Sequence, residues 1–182
     1  MKKSMLFIAG LFLSAAIAGC GTPSNRQPAP TQQIPAAEEM IPARRETTLT
    51  LYLPDEDGMR ISRFDFKVPA AQKTLKTALY QMIRLDQEAS FPILPAGLSI
   101  KNVTVENGTA TVNFSKELLN LSGGTTTEAL FIAMTVNTAT EFPNVKEVRF
   151  TVEGKPISHL TGHTDMTQPF RRDESFIRMQ KD

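Results

Sequence analysis

The chain has 182 residues, with 20 Lys or Arg against 19 Asp or Glu and a formal net charge of +1. This balance, with the signs interspersed, supplies no basic face for nucleic acid and no polybasic stretch for an anionic lipid surface. The only cysteine is Cys20, so an internal disulfide is excluded and an exported domain must fold by core packing alone.

The chain opens on a short basic head, Lys2 and Lys3, followed by the uncharged stretch from Met5 to Ala18. That stretch has the length of a signal h-region and falls short of the ~20 apolar residues that a spanning helix needs. It ends in Ile17-Ala18-Gly19-Cys20, which resembles a lipobox: an aliphatic residue, two small ones, then Cys. The small residues let a peptidase reach an unencumbered backbone. Residues 1–19 therefore read as a lipoprotein signal peptide and Cys20 as the lipid-attachment site. The implied location is the extracytoplasmic face of a membrane. One acyl chain holds only marginally, at ~0.8 kcal/mol per buried CH₂, so a durable anchor needs two or more. Cleavage would remove Lys2 and Lys3 and change the formal charge from +1 to −1.

Residues 20–46 read as the lipidated Cys and a tether, with Pro23, Pro28, Pro30, Pro35 and Pro42, several Gln and no aromatic. Such a stretch cannot bury enough apolar surface to offset its ordering entropy. As a coil it reaches roughly 30 Å, and its prolines extend it further. The remainder reads as one domain over residues 47–172, with residues 173–182 as a C-terminal tail.

Leu49, Leu51 and Leu53 alternate with polar residues, as in a half-buried strand. Pro54 to Gly58 is a turn, and Phe64, Phe66 and Val68 mark a second strand of a hairpin. Leu75, Leu79, Met82 and Ile83 recur at helical spacing, predicting an amphipathic helix over roughly 70–86. Leu98 to Glu106 is a strand, and Asn107-Gly108 is a strong hairpin signal because both central residues need positive φ. Ala110, Val112 and Phe114 alternate on the returning strand. Gly123-Gly124 breaks the chain, and Thr125 with Glu128 reads as a capping box opening a helix to about Thr140. That helix is apolar nearly all round, which predicts burial on more than one side and a backbone partner for Asn137. Val148, Phe150 and Val152 form the last strand, closed by Gly154. The order is β-β-α-β-β-α-β.

These stretches together resemble the GerMN domain, a module of sporulation and germination lipoproteins. The resemblance runs through Leu94-Pro95-Ala96-Gly97, Asn107-Gly108-Thr109-Ala110-Thr111-Val112, Gly123-Gly124, Val136-Asn137-Thr138, Phe142-Pro143-Asn144-Val145 and Glu153-Gly154-Lys155, across about residues 48–172. It implies an α+β fold, a small sheet with two helices on one face, similar to ring-building motifs. It also implies a non-catalytic role in binding or scaffolding other envelope proteins or copies of itself.

Candidate chemistry is sparse. His159 and His163 lie four apart with Asp165 close behind, but Gly162 and the Thr-rich context argue for a solvated loop rather than a metal site. Gly123-Gly124-Thr125 lacks the Lys and spacing of a phosphate loop and reads as a turn and helix start. No Ser lies in a nucleophile elbow, and Asp55-Glu56-Asp57 reads as a solvated turn. No cofactor or metal is implied. A cell-wall enzyme would need a convergent site that the sequence does not display, and a lipid-binding module would need a deep apolar cavity. The candidate interface is the polar face of the sheet, with Arg149, Thr111, Asn113 and Glu153; Arg is the residue most suited to an interface hot spot.

Overall fold

The computed structural model describes residues 45–162 and 164–178. The signal segment, Cys20, the tether to residue 44 and His163 lie outside the described residues.

Strands β1 (Glu46–Pro54) and β2 (Ile61–Pro69) form an antiparallel hairpin in register from Glu46↔Pro69 to Pro54↔Ile61. Its apolar side, Leu49, Leu51 and Val68, packs on Ala78 of the first helix. Helix α1 (Leu75–Gln87) starts one turn later than its periodicity suggests. Thr74 is the cap, accepting from the Thr77 N–H at 3.1 Å, and Ala70–Gln72 form a separate 3₁₀ turn.

The second sheet holds β3 (Ile100–Glu106), β4 (Thr109–Phe114), β5 (Glu147–Val152) and two short strands, β6 (Lys155–Pro156) and β7 (Phe170–Arg171), which both pair with β5. Asn107 (φ 53°) and Gly108 (φ 87°) make the β3–β4 turn with positive φ at both positions, as their pairing requires. Helix α2 (Gly124–Ala139) joins β4 to β5, which run parallel. A parallel pair demands such a crossover. Phe131 of α2 sits 5.5 Å from Phe114 and 5.4 Å from Phe150 between ring centroids, so the helix is seated on the sheet by an aromatic cluster.

The α+β class and the order of the main elements are as the sequence implies, but the strands divide between two sheets. Among the described residues the outer edge of β1 meets no further strand: the Tyr52 N–H donates to Thr138 Oγ1 of α2 at 3.0 Å. The β2 side is touched by the C-terminal segment, where Ile61 bridges Ile177. Helix α2 therefore lies among α1, the hairpin and the second sheet, and its burial on several sides follows.

The capping box is not formed. The cap of α2 is Gly123, at φ 104° and without a side-chain bond, and a Cβ there would collide with Thr127 Oγ1. Glu128 is instead fully buried and accepts from the Thr161 hydroxyl and, at 3.3 Å, from the Thr164 N–H. Residues Asp173–Arg178, read from the sequence as the start of a tail, pack against α2 and the hairpin. Among the described residues no helix is long and apolar enough to cross a membrane.

Candidate functional site

On the polar face of the second sheet, Thr111 and Arg149 are register neighbours across β4 and β5. Both are half-buried. The Arg149 guanidinium donates to the Thr167 carbonyl at 2.9 Å, so the loop after β6 occupies part of this face. Asn113 Oδ1 accepts from the Gly154 N–H at 2.8 Å and from Thr151 Oγ1 at 3.3 Å. Glu153 accepts from the Lys116 N–H at 3.0 Å and pairs with Lys101 at 3.5 Å. Asn113 and Glu153 thus hold the turn between β5 and β6, in which Glu153 itself has φ 48°.

Two arginines that the sequence reading did not single out tie the C-terminal segment to distant elements. Arg172 donates to Tyr52 Oη at 2.7 Å, to Glu141 Oε1 at 3.1 Å and to the Asn137 carbonyl near the end of α2 at 3.3 Å. Its guanidinium lies 5.3 Å from the Tyr52 ring centroid. Burial pushes the Tyr52 phenol above its ordinary value, with the Arg172 hydrogen bond opposing. Arg178 pairs with Asp55 at 2.6 Å and with Asp57, so the acidic hairpin turn already holds a cation from its own chain.

Asp86 falls on the apolar stripe of α1 and is 2 % exposed. Its carboxylate accepts from the Leu94 N–H at 2.9 Å and the Ile93 N–H at 3.4 Å, which shapes the Pro-rich bridge after the helix. Burial raises its pKa above the ordinary carboxylate value, against those two hydrogen bonds. The folded state therefore holds this proton more tightly than the unfolded chain. Its stabilising contribution is complete below the unfolded value and is lost as pH rises through the folded one. Asp86→Asn should consequently gain on the native protein as pH is raised from the acid side into the neutral range. Urea melts at acid and neutral pH measure this, and a variant that loses ground to the native protein as pH rises would refute it.

His159 and Asp165 lie in the loop between β6 and β7. The Asp165 carboxyl is held below its ordinary value chiefly by Thr167, whose N–H donates at 2.9 Å, with His159 adding to it. Among the described residues no group of three His, Cys, Asp or Glu side chains is placed to hold a metal ion. A cavity of about 240 Å³ lies between α2 and the C-terminal segment, lined mainly by Ile132, Val136, Phe170 and Phe176, with Asn137 in its wall.

The family described as "Germane: Sporulation and spore germination" matches residues 50–158. The chain is a member of the Germane family. Among solved structures, this Germane domain is similar to the first GerMN domain of the sporulation protein GerM from Bacillus subtilis. The TM-score is 0.59 at 23 % identity, covering 69 % of this chain and 98 % of that one. It is similar also to the tandem GerMN domains of the same protein, with TM-score 0.59 and 21 % identity over 70 % of this chain. It spans only 46 % of that tandem chain. No curated protein matches the chain. These likenesses show the fold, and the family match spans β1 to just beyond β6.

Proposed function

We propose that the chain is a lipid-anchored module that binds or scaffolds other proteins of the cell envelope, in sporulation or germination, without catalysis of its own. The observation that carries this reading is the family match over residues 50–158, to a family described by sporulation and spore germination. Cys20 at the end of its apolar leader supports the anchor, and the Pro-rich stretch after it supports a domain held off the bilayer.

The anchor is tested by Cys20→Ala. The variant is expected in the soluble fraction with an unchanged fold, and pelleting with membranes after a salt wash would remove the anchor from the reading. The interface is tested by crosslinking in cells. Because Arg149 also holds Thr167, Arg149→Glu is paired with Thr111→Arg, which disturbs the same face from β4. Both variants are expected to lower crosslinking yield while circular dichroism stays native. Undiminished yield in both would move the interface to the helices.

A further inference from the structure

We propose that the cavity between α2 and the C-terminal segment is a binding site for a flat aromatic group that carries one hydrogen-bond donor, of the indole or phenol kind. Its size, its walls and one buried side chain lead to this chemistry, independently of whether the domain binds envelope proteins.

The cavity measures about 240 Å³, which exceeds the ~150 Å³ of an apolar cavity that takes up benzene and falls short of pockets for drug-sized ligands. That range suits one or two fused rings. The walls are Ile132 and Val136 from α2 and Phe170 and Phe176 from the C-terminal segment, so a ring meets other rings in offset or edge contact. Asn137 is fully buried in the same wall. Its Nδ2 is committed to two carbonyls, Ala133 at 2.8 Å and Asp173 at 3.2 Å, which fixes the orientation of the amide. Its Oδ1 is sealed from water and has no donor among the described residues.

A buried acceptor without a donor is a standing cost, relieved by any group that brings an N–H or O–H to it. Because Oδ1 is closed to water, a donor reaches it only if a wall residue gives way as the ring enters, and Phe176, half-exposed on a single 3₁₀ turn, is the wall residue we assign to that movement. An anionic ligand is disfavoured, because the Asp173 carbonyl lies beside the amide and Arg171 at the rim is paired with Glu147 at 3.2 Å. The chain has no Trp, Tyr52 is buried, and Tyr80 is exposed on α1, which does not line the cavity. The donor-bearing ring therefore comes from outside, as a free small aromatic or as a Trp or Tyr side chain of another protein.

The test is an NMR titration of the full chain with indole, with 1-methylindole, which lacks the donor, and with N-acetyltryptophanamide. Indole is expected to give saturable shifts at the Ile132 and Val136 methyls and at the Asn137 side-chain amide. 1-Methylindole should bind at least about fivefold more weakly, the worth of one hydrogen bond. Ala129→Phe, which places a ring in the cavity wall, should abolish binding with an unchanged circular dichroism spectrum. N-acetyltryptophanamide binding as tightly as indole identifies a protein side chain as the source, and weaker binding identifies a free small molecule. The proposal is overturned if indole does not saturate, if indole and 1-methylindole bind alike, or if Ala129→Phe binds as the native chain does. Should Ala129→Phe fail to fold, the two indoles on the native chain decide.

Discussion

Phe131→Ala is expected to destabilise the domain by about 3–5 kcal/mol, as for large aromatics removed from well-packed cores. Phe131 is fully buried and packs on Phe114 and Phe150 together. Those two rings belong to adjacent strands and lie 6.1 Å apart, so the sheet backbone fixes them and they cannot close onto an emptied site. The loss is therefore the transfer energy of the ring together with an unrelaxed cavity. Phe170 offers the internal comparison. It touches Phe150 at 5.6 Å from the short strand β7 and is only half-buried, so Phe170→Ala should cost clearly less. Urea denaturation at neutral pH measures both. A Phe131→Ala effect under about 1.5 kcal/mol would mean that α2 is seated by something other than this cluster.

The second large effect belongs to a residue that composition alone would assign to the surface. Arg172→Ala should cost roughly 2 kcal/mol, although exposed substitutions usually stay within about 0.5 kcal/mol. The guanidinium is 29 % exposed and joins three elements: Tyr52 on β1, the last turn of α2 and Glu141 just beyond it. Removing it takes a donor from the Tyr52 oxygen, from the Glu141 carboxylate and from a helix-end carbonyl, the last two keeping only the Tyr52 hydroxyl and Thr140 Oγ1. Arg172→Lys should recover little, because a single ammonium cannot serve partners spread around a planar fork. A double-mutant cycle with Tyr52→Phe should return a coupling of about 0.5 kcal/mol or more. Lys and Ala variants that both match the native protein would show the cluster to be loosely held.

The parts of the fold that were legible in the sequence are those written in local pattern. Asn107-Gly108 announced its turn because the backbone there admits few residues. The apolar girdle of α2 announced burial on several sides, and the amide of Asn137 does bond to backbone, at Ala133. Asp86 was also within reach: it continues the stripe of Leu75, Leu79, Met82 and Ile83, and a carboxylate in that position marks a buried acceptor. Glu128 was hidden by a plausible alternative, since a capping box and a buried loop anchor require the same residue after a Thr. The C-terminal segment was opaque for a different reason. Its contacts are made by single residues, Met166 into the core, Arg172 to Tyr52 and Arg178 to Asp55, whose partners lie far away in the chain. No periodicity records such ties. For the candidate interface, alternation placed Thr111 and Arg149 side by side on one face, but it carried no trace of the loop that Arg149 holds through Thr167.

The clasp between Arg178 and the Asp55–Asp57 turn bears on the order in which the molecule is assembled. The first hairpin is completed by residues that are made more than a hundred positions later, with Ile177 beside Ile61 and the Arg178 N–H on the Ile61 carbonyl at 2.8 Å. Pairings of such long range form late, because the loop they close must first be ordered. A chain made from its N-terminus therefore leaves the start of β2 without this partner until residues 177 and 178 are in place.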